Sequence, residues 1–508
     1  MKICILGGGT AGWLAALYIQ KRQPEHDITV VESSRIGIIG TGEGTTGLFP
    51  DVVNKVLNIS EEDFIVNTGA TQKLGNRFHN WRGDGRSFIA PLDNTHTSLS
   101  PLDTTLLYHC KYVGQDQLHL TTQCGQLAER GLTSFRYDGR EVLPIHGYHF
   151  DGHQVGAYFQ KLSIAQGARV VDSEYTHCQR REDGSVSAIH LSNQETIEAD
   201  VFIDATGFAR CLGSEVGAGW HSYANSLTCD RAMPFHLPHL PRIDALTEAQ
   251  ALGSGWMWRI PVQQRRGCGY VFDSDFITPD QAQAEIETLL GHPIDPIKVI
   301  KFESGRVERT FCHNVVTIGL AGCFLEPLQA TNLHGTLTQI YNMVEYWLRP
   351  WGIAGPAESK LLNREITRVF DDFANLIQIH YHGGRSDTDF WQSQQTIPLL
   401  DGAATIQEIC RHRWPSRDNW PQIGGAGYGV SIYPMIEYGW LDQTIQRENF
   451  RDPAAVEQQY RREIDHAEEI SRGAMNNTVL VNRLRREGSI RKQPELPSEL
   501  RRLLELGK

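Results

Sequence analysis

Lys2-Ile3-Cys4-Ile5-Leu6-Gly7-Gly8-Gly9-Thr10-Ala11-Gly12-Trp13 reads as a buried strand, a glycine turn and the start of a helix. Four apolar residues in a row suit a strand covered on both faces. Gly7-x-Gly9-x-x-Gly12 is a GxGxxG fingerprint. Gly7 permits a tight turn, Gly9 lets the backbone approach a pyrophosphate, and Gly12 lets helix and strand pack closely. The helix expected over Trp13–Arg22 then offers free N–H groups and the positive end of its dipole to phosphate. A second strand is expected at Ile28–Glu32. Glu32 stands 20 residues beyond Gly12, where a carboxylate accepts ribose hydroxyls. This β-α-β unit binds a dinucleotide, and FAD and NAD fit it equally.

Further along, Phe202-Ile203-Asp204-Ala205-Thr206-Gly207-Phe208 is an apolar strand ending in Asp and a small-small-Gly turn. It resembles the second FAD fingerprint of the glutathione-reductase-like flavoproteins, in which strand and turn lie over the cofactor. The two fingerprints together point to FAD, with Asp204 and Gly207 added to the cofactor site. Extended apolar segments recur at Ala168–Val171, Ala188–Leu191 and Val315–Leu320, with helical patterns between them. From about Leu361 the chain reads as mostly helical and rich in Arg, Glu and Gln.

At 508 residues the chain exceeds the usual single core, so a large domain with an appended region is expected. Hydrophobic residues at 40% and charged residues at 21% describe an ordinary globular protein. A net charge of −12 argues against nucleic acid as the partner. No apolar run reaches the roughly 18 residues of a membrane helix. The first residues read as a strand rather than a signal peptide, so a cytoplasmic protein is expected. The ten cysteines form no Cys-x-x-Cys pair, which fits reduced thiols and no metal. His236-x-x-His239 and Cys410-x-His412 lack the second half of a zinc site. The basic residues Arg483, Arg485, Arg486, Arg491 and Lys492 read as a solvated helix face or tail.

Gly255-Trp256-Met257-Trp258-Arg259-Ile260-Pro261 puts two tryptophans on one face of a strand, because positions i and i+2 point the same way. It also fits a WxWxIP signature through Trp256, Trp258, Ile260 and Pro261. Other segments match in the same order: the GxGxxG start, Gly40-Thr41-Gly42-Glu43-Gly44-Thr45, Lys73-Leu74-Gly75-Asn76-Arg77-Phe78-His79-Asn80-Trp81, and Gly319-Leu320-Ala321-Gly322-Cys323-Phe324-Leu325-Glu326-Pro327-Leu328. In this set the chain resembles the flavin-dependent halogenases, the family that includes the tryptophan halogenases. Asp372-Phe373, His380-Tyr381 and Asp389-Phe390-Trp391 extend the likeness toward the C-terminus.

The resemblance implies an FADH2-dependent halogenase of α/β class. Its parts would be a glutathione-reductase-like FAD-binding domain, a β-rich substrate layer and a helical C-terminal region. Residues 1–360 would form the FAD-binding and halogenase core, and 361–508 would cover the substrate site. Reduced FAD would come from a separate flavin reductase. With O2 and a halide ion, chloride or bromide, it yields hypohalous acid for a small aromatic substrate. Trp13, Gly42, Glu43, Gly319 and Leu333 join the cofactor set on the same ground. The paired tryptophans would keep substrate from the flavin. Neither membrane nor nucleic acid is implied, and a homodimer is compatible.

Lys73 aligns with the family's catalytic lysine. The family's next motif runs Pro-Leu-Glu-Ser-Thr, whereas this chain has Pro327-Leu328-Gln329-Ala330-Thr331. Gln329 is neutral and cannot be a general base, although it can accept a hydrogen bond. Either the substrate is electron-rich enough to lose its proton to solvent, or Glu326 or His334 serves, or halogenation is lost and the chain is a flavin-binding pseudoenzyme. A flavin monooxygenase on the same scaffold is a further alternative. The halide would sit on the backbone N–H groups of Thr331 and Asn332, with Asn332 suited to a left-handed turn. The family's indole-stacking His-Pro-Phe is replaced by Phe88-Ile89-Ala90-Pro91-Leu92. The region of Tyr433-Pro434-Met435 lacks the carboxylate pattern that holds an amino acid. The expected substrate is therefore indole- or phenol-like and not free tryptophan.

Overall fold

The strand Lys2–Leu6 has all but its first residue buried, as its apolar run requires. It pairs in parallel with Asp27–Glu32 on one side and Val201–Asp204 on the other. Arg169–Asp172 and Val315–Thr317 extend this parallel sheet outward, and Phe311–Cys312 closes one edge antiparallel. The computed structural model describes residues 1–37, 40–93, 118–143, 145–412, 434–440 and 453–490. The first helix runs from Thr10 to Arg22, three residues earlier than expected, because Gly9 itself caps it. It is buried nearly all round, with helix Gly152–Ala165 packed against it. Val315–Thr317 stops short of the expected Leu320 because Gly319 turns the chain with φ +63°.

A second, seven-stranded sheet forms the β-rich layer. Its order is Ile300–Lys301, Arg231–Leu237, Arg266–Phe272, Gly255–Pro261, Leu246–Leu252, Gly75–His79, Ser87–Pro91. Only the Gly75–His79 to Leu246–Leu252 pairing is parallel. The signature strand Gly255–Pro261 is central, and only Arg259 in it is not buried. A small antiparallel sheet of Glu43–Gly44, Gly147–Phe150 and Thr71–Lys73 joins the two layers.

Beyond these sheets the described residues from Pro356 onward are mostly helical, in line with the helical reading from about Leu361. Helix Pro356–Tyr381 crosses the 360/361 division, with its exposed half first and its last residues, from Asp372 to Tyr381, all buried. Helix Asn477–Glu487 returns to the small sheet. Asn477 accepts from the Gln72 backbone N–H at 2.9 Å and donates to the Gln72 carbonyl at 2.9 Å. Arg485 of the basic run donates to Gln263 at 2.9 Å, and Arg483 pairs with Glu487 at 3.1 Å, so these two are tied into the protein. Arg491 and Lys492 lie outside the described residues. No helix among the described residues is long and apolar enough to cross a membrane.

One buried charge supports this fold. His146 has Glu61 at 3.2 Å from Nε2 and Glu141 at 3.4 Å from Nδ1. Burial alone would push the imidazole down, but the two carboxylates outweigh it and carry it up to about 10. The charged ring therefore stabilises the fold fully below its unfolded value of about 6.5. That contribution is lost as pH rises from there through about 10. The melting temperature should fall across this window, and His146→Leu should flatten the fall. Equal slopes for the two proteins would remove the clamp from the account.

Candidate active site

At the nucleotide end, the three fingerprint glycines have different surroundings. Gly7 holds φ +117°, and a Cβ there would lie 2.3 Å from the Ala205 carbonyl oxygen. A Cβ on Gly12 would lie 2.0 Å from the Gly7 carbonyl oxygen. Gly9 has nothing within 4 Å among the described residues. It caps helix Thr10–Arg22 with no side-chain acceptor and no acid in the first turn, so the first N–H groups remain free for an anion. This open side is a cradle that fits a pyrophosphate.

Glu32 accepts from Trp13 Nε1 at 3.2 Å and Gln160 Nε2 at 2.6 Å, which fixes the carboxylate beside Gly8. Asp204 turns inward. Its carboxylate accepts from the backbone N–H groups of Thr206, Leu212 and Gly213 at 3.0, 2.8 and 2.8 Å. Asp204 thus shapes the turn that presents Gly207 (φ +62°). Gly42 (φ +85°) precedes Glu43, whose carboxyl is pushed up to about 7 by burial and then by Asp151. Leu333 lies buried in the first turn of helix Thr331–Asn342.

Lys73 is 1% exposed. Burial pushes its ammonium down to about 7. No carboxylate among the described residues pairs with it. A Cβ on Gly44 would stand 3.0 Å from Lys73 Nζ and 3.2 Å from Thr247 Oγ1, so the bare glycine leaves room for the amine. Lys73 lies opposite Gly147 and Thr71 opposite His149, which places the Lys73 and His149 side chains on one face. His149 Nε2 lies 2.8 Å from Thr247 Oγ1. Burial, and then the Lys73 charge, hold this ring well below the usual histidine range.

The segment Glu43–Gly44 also packs on Leu328–Ala330, so the segment beside Lys73 Nζ adjoins the turn that carries Gln329. Gln329 (φ 63°, ψ 12°) and Ala330 (φ 61°, ψ 33°) are both left-handed. The expected left-handed turn therefore falls on these two residues and not on Asn332, which is helical. Asn332 ties its side chain to the Leu325 N–H at 3.1 Å and the Leu325 carbonyl at 2.9 Å. Helix Thr331–Asn342 starts with no side-chain cap, and the buried Thr331 Oγ1 has no hydrogen-bond partner among the described residues.

Gln329 accepts from Asn76 Nδ2 at 3.1 Å and faces His380 Nε2 at 3.2 Å. His380 stacks on Phe78, with ring centroids 4.6 Å apart, and Phe78 stacks on Phe88 at 4.9 Å. Tyr438 meets Phe88 edge-on at 5.6 Å. Phe88 is thus one member of a closed set of rings with Phe78, His380 and Tyr438. Pro434 and Met435 are described, and Tyr433 lies outside the described residues.

The two suggested substitute bases turn elsewhere. Glu326 Oε2 accepts from Trp256 Nε1 at 2.8 Å and from the Tyr381 hydroxyl, while Oε1 has no partner among the described residues. Burial pushes this carboxyl up to about 7 against the pull of those donors. Glu326 therefore anchors the signature strand, with the Trp256 and Trp258 rings 6.2 Å apart beside it. His334 Nδ1 faces Thr46 Oγ1 at 3.0 Å, and burial pushes that ring down to about 4.

His149, Thr247 and Tyr438 were missed by sequence reading, since no local pattern marks them. Asn76 and His380 sat inside segments already singled out, as polar residues among aromatics. Among the described residues, Glu61, Glu141 and His146 are the group whose ligand atoms lie close enough, within 4.8 Å, to hold a metal. Their arrangement, with a carboxylate on each ring nitrogen, is that of a clamped imidazolium. His236 faces Arg265 at 2.7 Å, and Cys410 is a buried free thiol.

The family described as tryptophan halogenase matches residues 2–429. The tryptophan 7-halogenase RebH of Lentzea aerocolonigenes is 31% identical over 426 residues, covering 79% of this chain and 80% of its own. Tar14, a tryptophan C-6 flavin-dependent halogenase (chlorinase) from taromycin biosynthesis, superposes with TM-score 0.87 at 27% identity, over 95% of this chain and 99% of that one. Xcc4156, a flavin-dependent halogenase from Xanthomonas campestris, gives 0.83 at 26% identity over 98% and 99%.

Proposed function

The chain belongs to the tryptophan halogenase family and is a flavin-dependent halogenase, and from this premise we propose that it halogenates a small, electron-rich aromatic other than free tryptophan. The observation that carries the reading is Lys73, a buried ammonium without a carboxylate partner among the described residues, placed where the two layers meet. Reduced FAD from a separate flavin reductase, O2 and halide together supply hypohalous acid. Lys73 donates a hydrogen bond that holds this acid, and the Gln329 carboxamide accepts on the other side.

We assign the pyrophosphate to the open side of Gly9, with Glu32 at the ribose and Trp13, Gly42, Glu43, Gly207, Gly319 and Leu333 around the remainder. The uncapped start of helix Thr331–Asn342 supports a halide on the N–H groups of Thr331 and Asn332, and the Thr331 hydroxyl, without a partner among the described residues, adds a donor. Because Gln329 cannot take the proton of the arenium intermediate, the ring must be reactive enough to lose it to solvent. That requirement selects indoles and phenols.

The test is an assay with reduced FAD, O2, bromide and a panel of indoles, phenols and free tryptophan. Brominated indole or phenol, with tryptophan turned over at least about tenfold more slowly, is the expected result. Hydroxylated product would replace the reading with a monooxygenase, and no product would leave a pseudoenzyme.

A further inference from the structure

We propose that His380 is the positioning residue for the Gln329 carboxamide, and that the residue at position 329 decides which ring nitrogen of His380 carries its proton. The inference deepens the reading of Gln329 as the acceptor in the halogenation chamber. An amide nitrogen can only donate. Gln329 Nε2 faces His380 Nε2 at 3.2 Å, so that ring nitrogen is bare and accepts. The ring proton is then on Nδ1, which donates to the Tyr438 hydroxyl at 2.9 Å. With Asn76 Nδ2 donating to Gln329 Oε1 at 3.1 Å, every N–H points the same way, from Asn76 to Tyr438. The accepting end of the carboxamide is thereby turned toward Asn76, on the strand that directly follows Lys73.

The ring cannot easily swing out of this chain. Phe78 lies parallel to it, 18° between planes, and Trp81 meets it edge-on at 5.4 Å. It also stays neutral. Burial pushes His380 down to about 3, and the charged groups nearby, Glu437 and Arg82, lie beside Tyr438 at the far end of the chain. A carboxylate at 329 has no N–H to give. The ring would then have to present its proton at Nε2, and Tyr438 would donate to Nδ1. Asn76 still donates to the carboxylate, the links through His380 and Tyr438 reverse, and the carboxylate accepts from both sides. The same pocket thus serves glutamine or glutamate by relocating one proton, and Gln329→Glu should fold, bind FAD and gain turnover.

The direct test is nitrogen NMR of histidine-labelled protein. At about pH 5 exposed imidazoles are protonated, which leaves His380 among a few neutral rings with His149 and His334, and its signal is assigned among them by its loss in His380→Phe. The wild type should show the Nδ1–H form and Gln329→Glu the Nε2–H form. His380→Phe, which keeps the stack and removes both nitrogens, should cut product at least about tenfold with flavin oxidation unchanged. His380→Gln, with an acceptor near the Nε2 position, should recover to within about threefold of wild type. An Nε2–H ring in the wild type, one form in both proteins, or full product from His380→Phe would overturn the inference. If no variant and no wild type makes product, the functional reading fails while the tautomer result still judges this one.

Discussion

Lys73→Ala should lose halogenated product by about 10³-fold or more while flavin oxidation by O2 continues at its normal rate. The two readouts separate because the role proposed for Lys73 begins after hypohalous acid has formed. Alanine also empties a buried volume, so Lys73→Met is the companion variant: it keeps the length of the side chain and deletes the amine. A buried ammonium without a counter-ion is a destabilising element. Lys73→Met should therefore melt no lower than wild type while remaining inactive. A product rate above about a tenth of wild type in Lys73→Met would reduce Lys73 to a packing residue. In the proposed role the ammonium is the donor, and burial pushes it down to about 7. Product formation should accordingly fall as pH rises through that value, by about tenfold per unit beyond it. A profile flat to about pH 9 would mean that the neutral amine does the work.

Gly9→Val should keep the fold and lose FAD, weakening it by about 100-fold or more. The backbone at Gly9 is extended, φ −78° and ψ −178°, and nothing among the described residues stands within 4 Å of a Cβ there. Valine is thus free of protein clashes and occupies the space assigned to the pyrophosphate. Gly12→Val is the contrasting case. Its Cβ would meet the Gly7 carbonyl at 2.0 Å, so helix and strand must part and the protein should not fold. Flavin fluorescence titration and circular dichroism distinguish the outcomes. Wild-type FAD affinity in Gly9→Val would move the phosphate away from this loop.

The sequence made local elements legible wherever one period or one glycine decided them. The opening β-α-β unit, Val201–Asp204 and the strand Gly255–Pro261 lie within three residues of their expected bounds. The long helix reaching Tyr381 was visible as the start of a helical region near Leu361. Contacts that depend on how distant strands meet were not legible. His149 and Thr247 are 98 residues apart, and Gln329 and His380 are 51 apart, so no spacing rule links them. Asn332 was the natural candidate for a left-handed turn by residue type. The chain instead puts Gln329 and Ala330 there, because the helix begins at Thr331 and the bend must precede it. Glu326 looked like a spare base, and only its contacts identify it as the anchor of Trp256.

Asn477 holds both backbone groups of Gln72, the residue next to Lys73, across 405 positions of chain. During synthesis the ribosome must therefore add those 405 positions before the lysine-bearing strand receives its last tether. Until then the Glu43–Gly44, Gly147–Phe150 and Thr71–Lys73 ribbon lacks that support, and its amine lies in a pocket that is not yet closed. A nascent chain halted before this point could already display the Gly9 loop and take up flavin, yet would have no settled place for the reactive amine. The proposed flavin site, whose last assigned residue is Leu333, would thus be made before the tether of the lysine strand at Asn477. Truncated chains are the forms in which the two would come apart.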